Sequence, residues 1–106
     1  ITKRMLFGCI CGYVYSEGTP LPDVPVYIMI PVQTAKGIVW DIKTQTTTDE
    51  QGFYKVNIGI GTYKVVVDFM GGYDEKLVHV SSYRCAVADL ELGTIAITQA
   101  IQTNAL

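Results

Sequence analysis

Few residues in this chain could carry chemistry, and the natural place to begin is His79, the only histidine among 106 residues. A charge relay around it would need Ser81 or Ser82 as nucleophile and Asp74 or Asp89 as the orienting acid. Such a triad also needs a serine presented on a strained elbow, and nothing in the chain resembles one. His79 therefore reads as a solvent-facing strand residue. The acids Asp41, Asp49, Glu50, Asp74 and Glu75 do not follow the spacing of a calcium loop, so they read as solvating groups at turns and strand ends. Cys9, Cys11 and Cys85 are an odd set, which leaves one thiol over for another molecule if two of them pair. A zinc site built from these three and His79 has the ligand types but only loose spacing. Trp40 with Tyr13, Tyr15, Tyr27, Tyr54 and Tyr63 offers faces on which sugars stack. On strands, such aromatics more often form core or cross-strand pairs. No residue is expected to be catalytic or to hold a metal, and no cofactor is expected.

The elements that must position these residues are strands. Period-two alternation dominates, and β-branched and aromatic residues are dense. Strands are predicted at Met5–Tyr15, Val24–Val32, Gly37–Thr46, Gly52–Ile58, Thr62–Met70, Lys76–Val80, Arg84–Leu92 and Thr94–Thr98. Turn signals separate them: Glu17-Gly18-Thr19-Pro20, Ala35-Lys36-Gly37, Asp49-Glu50-Gln51-Gly52, Gly59-Ile60-Gly61 and Gly71-Gly72. The length allows one domain with a two-layer core. Charged residues make up only 17% of the chain against about 25% in an ordinary globular domain, so apolar surface must be hidden in the core or against a partner. A net charge of −2 without any block of like charge gives no footprint for nucleic acid. The longest apolar runs, such as Val65-Val66-Val67, are far too short for a membrane helix, and no membrane insertion is expected.

Several ordered motifs together resemble the carboxypeptidase regulatory-like domains, which are transthyretin-like. Gly12-Tyr13-Val14-Tyr15 followed by Pro20-Leu21-Pro22-Asp23-Val24-Pro25-Val26-Tyr27-Ile28 is similar to their opening Gly-x-Val strand, turn and Pro-Leu-x-Gly-Val-x-Val strand. Thr47-Thr48-Asp49-Glu50-Gln51-Gly52-Phe53-Tyr54 looks like their Thr-x-Asp-x-x-Gly-x-Tyr hairpin. Gly61-Thr62-Tyr63-Lys64-Val65-Val66-Val67, Gly72-Tyr73 and Leu92-Gly93-Thr94-Ile95 match later motifs. The likeness covers roughly residues 10–97. Asp23 stands where the family often has Gly, which points to a residue that tolerates a left-handed backbone. The resemblance implies an all-β Greek-key sandwich of seven or eight strands, extracellular or at a cell surface. It also implies a core containing Val14, Val26, Ile28, Tyr63, Val65 and Val67. Hydroxyisourate hydrolases of related fold use several histidines and a terminal Tyr-Arg-Gly-Ser. Tyr83-Arg84-Cys85-Ala86 lies well short of the C-terminus beside a single His, so that activity does not carry over. Pilin domains of similar fold carry an isopeptide bond, but Lys3 and Asn104 lack the buried first-strand setting it needs.

The family's strand parity points Ile10, Gly12 and Val14 inward, so Cys9, Cys11, Tyr13 and Tyr15 face outward. Leu90 and Leu92 read as inward, which turns Cys85, Val87 and Asp89 outward. The first and penultimate strands are neighbours in such sandwiches, so one of Cys9 and Cys11 can pair with Cys85, leaving the other for an intermolecular link. In a reducing compartment all three stay free thiols. The termini extend past the family match as an N-terminal arm, residues 1–8, and a C-terminal arm, residues 98–106. These arms, with Ile97 just before the second, offer Ile1, Met5, Leu6, Phe7, Ile97, Ile101 and Leu106 as apolar residues for strand addition to a neighbour. Together these features predict a single non-catalytic domain, residues 1–106, that assembles with copies of itself or with a neighbouring assembly protein in a surface appendage, filament or particle. Neither nucleic acid nor a small-molecule ligand is expected as a partner. The alternative is an accessory carbohydrate- or peptide-binding module attached to an enzyme or transporter.

Overall fold

The computed structural model describes residues 6–96. Ile1, Lys3, Met5, Ile97, Ile101, Asn104 and Leu106 lie outside the described residues. Nine strands form in chain order: β1 Phe7–Ser16, β2 Thr19–Pro20, β3 Pro25–Thr34, β4 Gly37–Thr47, β5 Phe53–Gly59, β6 Gly61–Phe69, β7 Gly72–Val80, β8 Cys85–Val87 and β9 Leu90–Glu91. They make two sheets. The first is built around β1, and the second has the order β4-β3-β6-β7. The fold is an all-β sandwich.

β1 is bonded along both edges. On one side it pairs antiparallel with β5, from Phe7↔Gly59 to Tyr13↔Phe53, and β2 continues that edge at Tyr15↔Pro20. On the other it pairs parallel with β8 at Cys9↔Cys85 through Cys11↔Val87, and then with β9 at Val14↔Leu90. The inward parity of β1 places Ile10 and Val14 in the core with Val26, Ile28, Tyr63, Val65, Val67, Leu90 and Leu92.

The recognised motifs hold turns. The buried Thr48 hydroxyl donates to the Leu21 carbonyl at 2.6 Å and accepts from the Val24 amide at 2.9 Å, fixing the Pro20–Val24 turn. Asp23 adopts a left-handed backbone, φ 59°. The Asp49 carboxylate accepts from the amides of Gln51 and Phe53 at 2.8 and 3.0 Å, closing the tight connection into β5.

The C-terminal third differs from the sequence expectation. Arg84–Leu92 is not one strand but two short ones, β8 and β9, and this split, with the two-residue β2, brings the count to nine. At the break, Asp89 Oδ1 takes the Tyr13 amide at 2.8 Å, a bond that a strand carbonyl would otherwise accept. The buried Tyr54 hydroxyl donates to the Ala88 carbonyl at 2.5 Å. Burial above all pushes the Tyr54 phenol far above its ordinary range, so it stays a donor. The described part of the expected strand Thr94–Thr98 is not a strand either. Gly93 turns the chain with φ 68°. Its carbonyl then accepts from Ser16 Oγ, Thr94 bonds Glu17, and the Ala96 amide reaches Met70 O at 3.0 Å. These bonds lead the segment across the end of the sandwich and plug Ile95 into the core.

Ala88 can approach β1 only because position 12 is glycine: a Cβ there would lie 2.1 Å from the Ala88 carbonyl oxygen. Backbone cannot yield as a flexible side chain can. Gly12→Ala should therefore lower unfolding stability by about 2–3 kcal/mol, the cost of overpacking a close contact. Gly18→Ala, in open space but at φ 81°, should lose about 1–2 kcal/mol from backbone strain alone. Denaturant unfolding of both variants checks the order.

Candidate functional site

The candidate chemistry is dispersed over the sandwich. His79 lies on the outer face of β7, opposite Thr62, with a ring nitrogen 3.3 Å from the Thr62 hydroxyl. Asp74 sits on the other face of that strand and accepts the Glu91 amide at 2.9 Å. Asp89 is occupied by the Tyr13 amide. No Ser–His–acid arrangement is brought together among these residues. The three cysteines lie on the first sheet, away from His79. Among the described residues no group of three or more His, Cys, Asp and Glu could hold a metal ion.

Cys9 and Cys85, register partners in the parallel β1–β8 ladder, form a disulfide with Cα atoms 4.3 Å apart. Cys11, two residues further along the same face, is a free, half-buried thiol. None of the three, Cys9 and Cys11 on β1 or Cys85 on β8, belongs to the apolar cluster between the sheets. Cys9 is nevertheless only 8% exposed, whereas its partner Cys85 is exposed.

The aromatic residues divide into three groups. Tyr54 and Tyr63 are buried in the core, with Tyr63 donating to the Gly59 carbonyl at 2.8 Å. Tyr13, Tyr15 and Phe53 cluster on the outer face of the first sheet, with Tyr13 5.2 Å from Phe53 and 6.0 Å from Tyr15 between ring centroids. Tyr27, Trp40 and Tyr73 lie on the outer face of the second sheet. There Lys64 holds its ammonium 4.3 Å from the centre of the Trp40 ring and pairs with Glu75 at 3.2 Å. The single platform of all the aromatics does not form.

Sequence reasoning missed two features. The first is a ribbon. β3 pairs with β6 only at Tyr27–Met29, so Ile30–Thr34 and Gly37–Asp41 are bonded only to each other. This two-stranded extension carries Ile38 and Val39, 63% and 44% exposed, with Ile42 at its base 57% exposed. The alternation of β3 and β4 showed the strands but not that they outrun their neighbours. The second is an open depression of about 590 Å³ beside the disulfide, where the Ser81–Arg84 turn meets β1 and β5. The left-handed residue Tyr83 that shapes this turn carries no turn signal in the sequence. Of the apolar residues of the N-terminal arm, Leu6 and Phe7 are described: Phe7 pairs with Gly59 of β5 and Leu6 O accepts from Ile60 in the turn after it, so both lie against their own chain.

No protein-family model matches the chain, and no curated protein matches it in sequence. Solved structures do match in fold. One is the dioxygenase domain of a dioxygenase–carbohydrate-binding protein fusion from Streptomyces sp. SirexAA-E, with TM-score 0.59 and 12% identity over 89% of this chain and 85% of that one. A DUF3823 family protein from Parabacteroides merdae has TM-score 0.56 and 15% identity over 84% of this chain. Hydroxyquinol 1,2-dioxygenase from Pseudomonas putida DLL-E4 has TM-score 0.58 and 8% identity over 87%. The chain spans 47% and 58% of the latter two. At such identities what is shared is the β-sandwich.

The disulfide closes a loop with a sequence separation of 76. Loop-closure entropy of that length is worth about 4 kcal/mol. The double variant Cys9→Ser/Cys85→Ser should lose most of that stability in denaturant unfolding. Cys11→Ser should change it by less than about 1 kcal/mol.

Proposed function

We propose that this chain is a non-catalytic interaction module that associates with copies of itself, as a subunit of an extracellular or cell-surface assembly. The observation that carries the reading is the β3–β4 ribbon. A two-stranded ribbon is marginal in water by itself. This one carries apolar side chains on both faces: Val32 and the exposed Val39 on one, beyond Ile30, which packs against the core, and Pro31 and the exposed Ile38 on the other, beside Trp40, which lies under Lys64. The first of these faces continues the core-facing side of the second sheet beyond the point where β6 stops pairing. A second ribbon related by a two-fold axis matches it in width and polarity, as an isologous contact requires. Covered in this way, the ribbon ceases to be an exposed apolar patch.

Other observations agree. The far edge of β4 is unpaired among the described residues, which is a template for strand pairing. The disulfide fits an oxidising compartment. The low charge of the whole chain fits a surface partly hidden in an assembly. The dispersal of His79, Asp74 and Asp89 supports the non-catalytic part of the proposal.

Sedimentation equilibrium or light scattering at micromolar concentration tests it. The chain should show a mass that rises with concentration. The triple variant Ile38→Thr/Val39→Thr/Ile42→Thr, which keeps β-branched residues on the strand, should stay folded and become monomeric. A chain that is monomeric throughout, or a triple variant that associates unchanged, would contradict the reading and favour the accessory binding module.

A further inference from the structure

The depression beside the disulfide is held more firmly than an ordinary surface turn. Tyr83 has a left-handed backbone, φ 59°, rare for a bulky residue, and its side chain is 79% exposed. Its amide donates to the Phe7 carbonyl at 2.7 Å, and the neighbouring Arg84 carbonyl accepts from the Cys9 amide at 2.9 Å. The Cys9–Cys85 disulfide ties the next residue to the same strand. Gly8 is what lets the turn sit so close: a Cβ there would come within 2.3 Å of the Ser81 carbonyl and 2.5 Å of the Arg84 carbonyl. Two hydrogen bonds and the disulfide thus fix a strained turn whose two side chains serve neither the core nor the sheet. Backbone strain that surrounding structure over-determines is characteristic of ligand sites.

The chemistry of the walls is specific. Lys55 and Arg84 supply two positive charges, Asn57 an amide, and Phe7 and Tyr83 two rings, with no acid among the lining residues. The chain as a whole is net negative, so this is a local reversal of sign. Among the described residues the one ion pair is Lys64–Glu75, on the other sheet, so neither Lys55 nor Arg84 has an acidic partner there. The volume, about 590 Å³, falls within the range of ligand sites.

We propose that this depression binds an acidic glycan: a pyranose chain in which a ring carboxylate meets Arg84 and Lys55 while sugar faces lie against Tyr83 and Phe7. Guanidinium recognises a planar carboxylate with two parallel hydrogen bonds. Aromatic rings offer the flat apolar surface that the C–H face of a pyranose covers, and Asn57 can exchange hydrogen bonds with ring hydroxyls. The depression is open and lies on a sheet face, so a polymer can pass across it. A peptide binding by strand addition would need a sheet edge instead. This site does not depend on the ribbon, and its failure would leave the self-association reading untouched.

Titration of the intact, oxidised protein with a short oligogalacturonate, followed by calorimetry and amide chemical shifts, tests the proposal. Shifts should centre on Phe7, Asn57 and Tyr83–Cys85. Arg84→Gln and Lys55→Gln, both at exposed positions, should keep the thermal midpoint and weaken binding by about tenfold each. A neutral oligosaccharide of equal length should not bind. Absence of binding, binding unaffected by both variants, equal binding of the neutral oligosaccharide, or equal binding of an oligoglutamate at the same resonances would each overturn it.

Discussion

The backbone of β1 has no free edge. The hydrogen-bonding groups along its two edges are taken by β5 and β2 on one side and by β8 and β9 on the other. A buried strand must satisfy every amide and carbonyl, and here that requirement also draws in groups that are not strand backbone. The Asp89 carboxylate covers the Tyr13 amide at the gap between β8 and β9. Glycine at position 12 lets the Ala88 carbonyl come close enough to receive the Tyr54 hydroxyl. The parallel partner arrives from the far end of the chain, so this ladder fastens residue 9 to residue 85, and the disulfide locks the same register covalently. The first sheet, the rigid Ser81–Arg84 turn and the depression beside it all follow from satisfying β1.

The second sheet is constrained differently. Its inner side is tied to the same core through Val26, Ile28, Val65 and Val67. Its β3–β4 hairpin outgrows the partner strand, leaving Ile38 and Val39 exposed on the projecting ribbon. The first sheet therefore has a central strand whose backbone groups are filled within the chain, and the second leaves Ile38, Val39 and Ile42 exposed. The first supplies rigidity on which a turn can be held in a strained shape, and the second supplies unpartnered surface. The proposed binding turn and the proposed association surface lie at separate places, as that division allows.

Much of the architecture was legible because local chemistry dictates it. Thr48, Asp49 and Gly52 announce their hairpin, and Asp23 announces its left-handed backbone through a side chain that tolerates it. Strand parity was legible in β1 and β6, where inward Val and Ile alternate with outward residues. The break between β8 and β9 was not, because Ala88-Asp89 keeps the alternation that a continuous strand would show. Only the tertiary pairing of Asp89 with Tyr13 ends the strand there. The burial of Cys9 was likewise hidden, since the parity of β1 turns it away from the core. Tyr83 gave no warning, because neither Gly, Asn nor Asp marks its positive φ. The ribbon's projection depends on where β6 stops pairing with β3, a property of two strands far apart in sequence.

The central claim is that the ribbon is covered by a second copy of the chain. Amide hydrogen exchange measured as a function of protein concentration addresses it residue by residue. Amides of residues 30–42 should exchange quickly in dilute solution and become protected as concentration rises, while those of β1 and β6 remain unchanged. Uniform exchange of the ribbon amides at every concentration would contradict it.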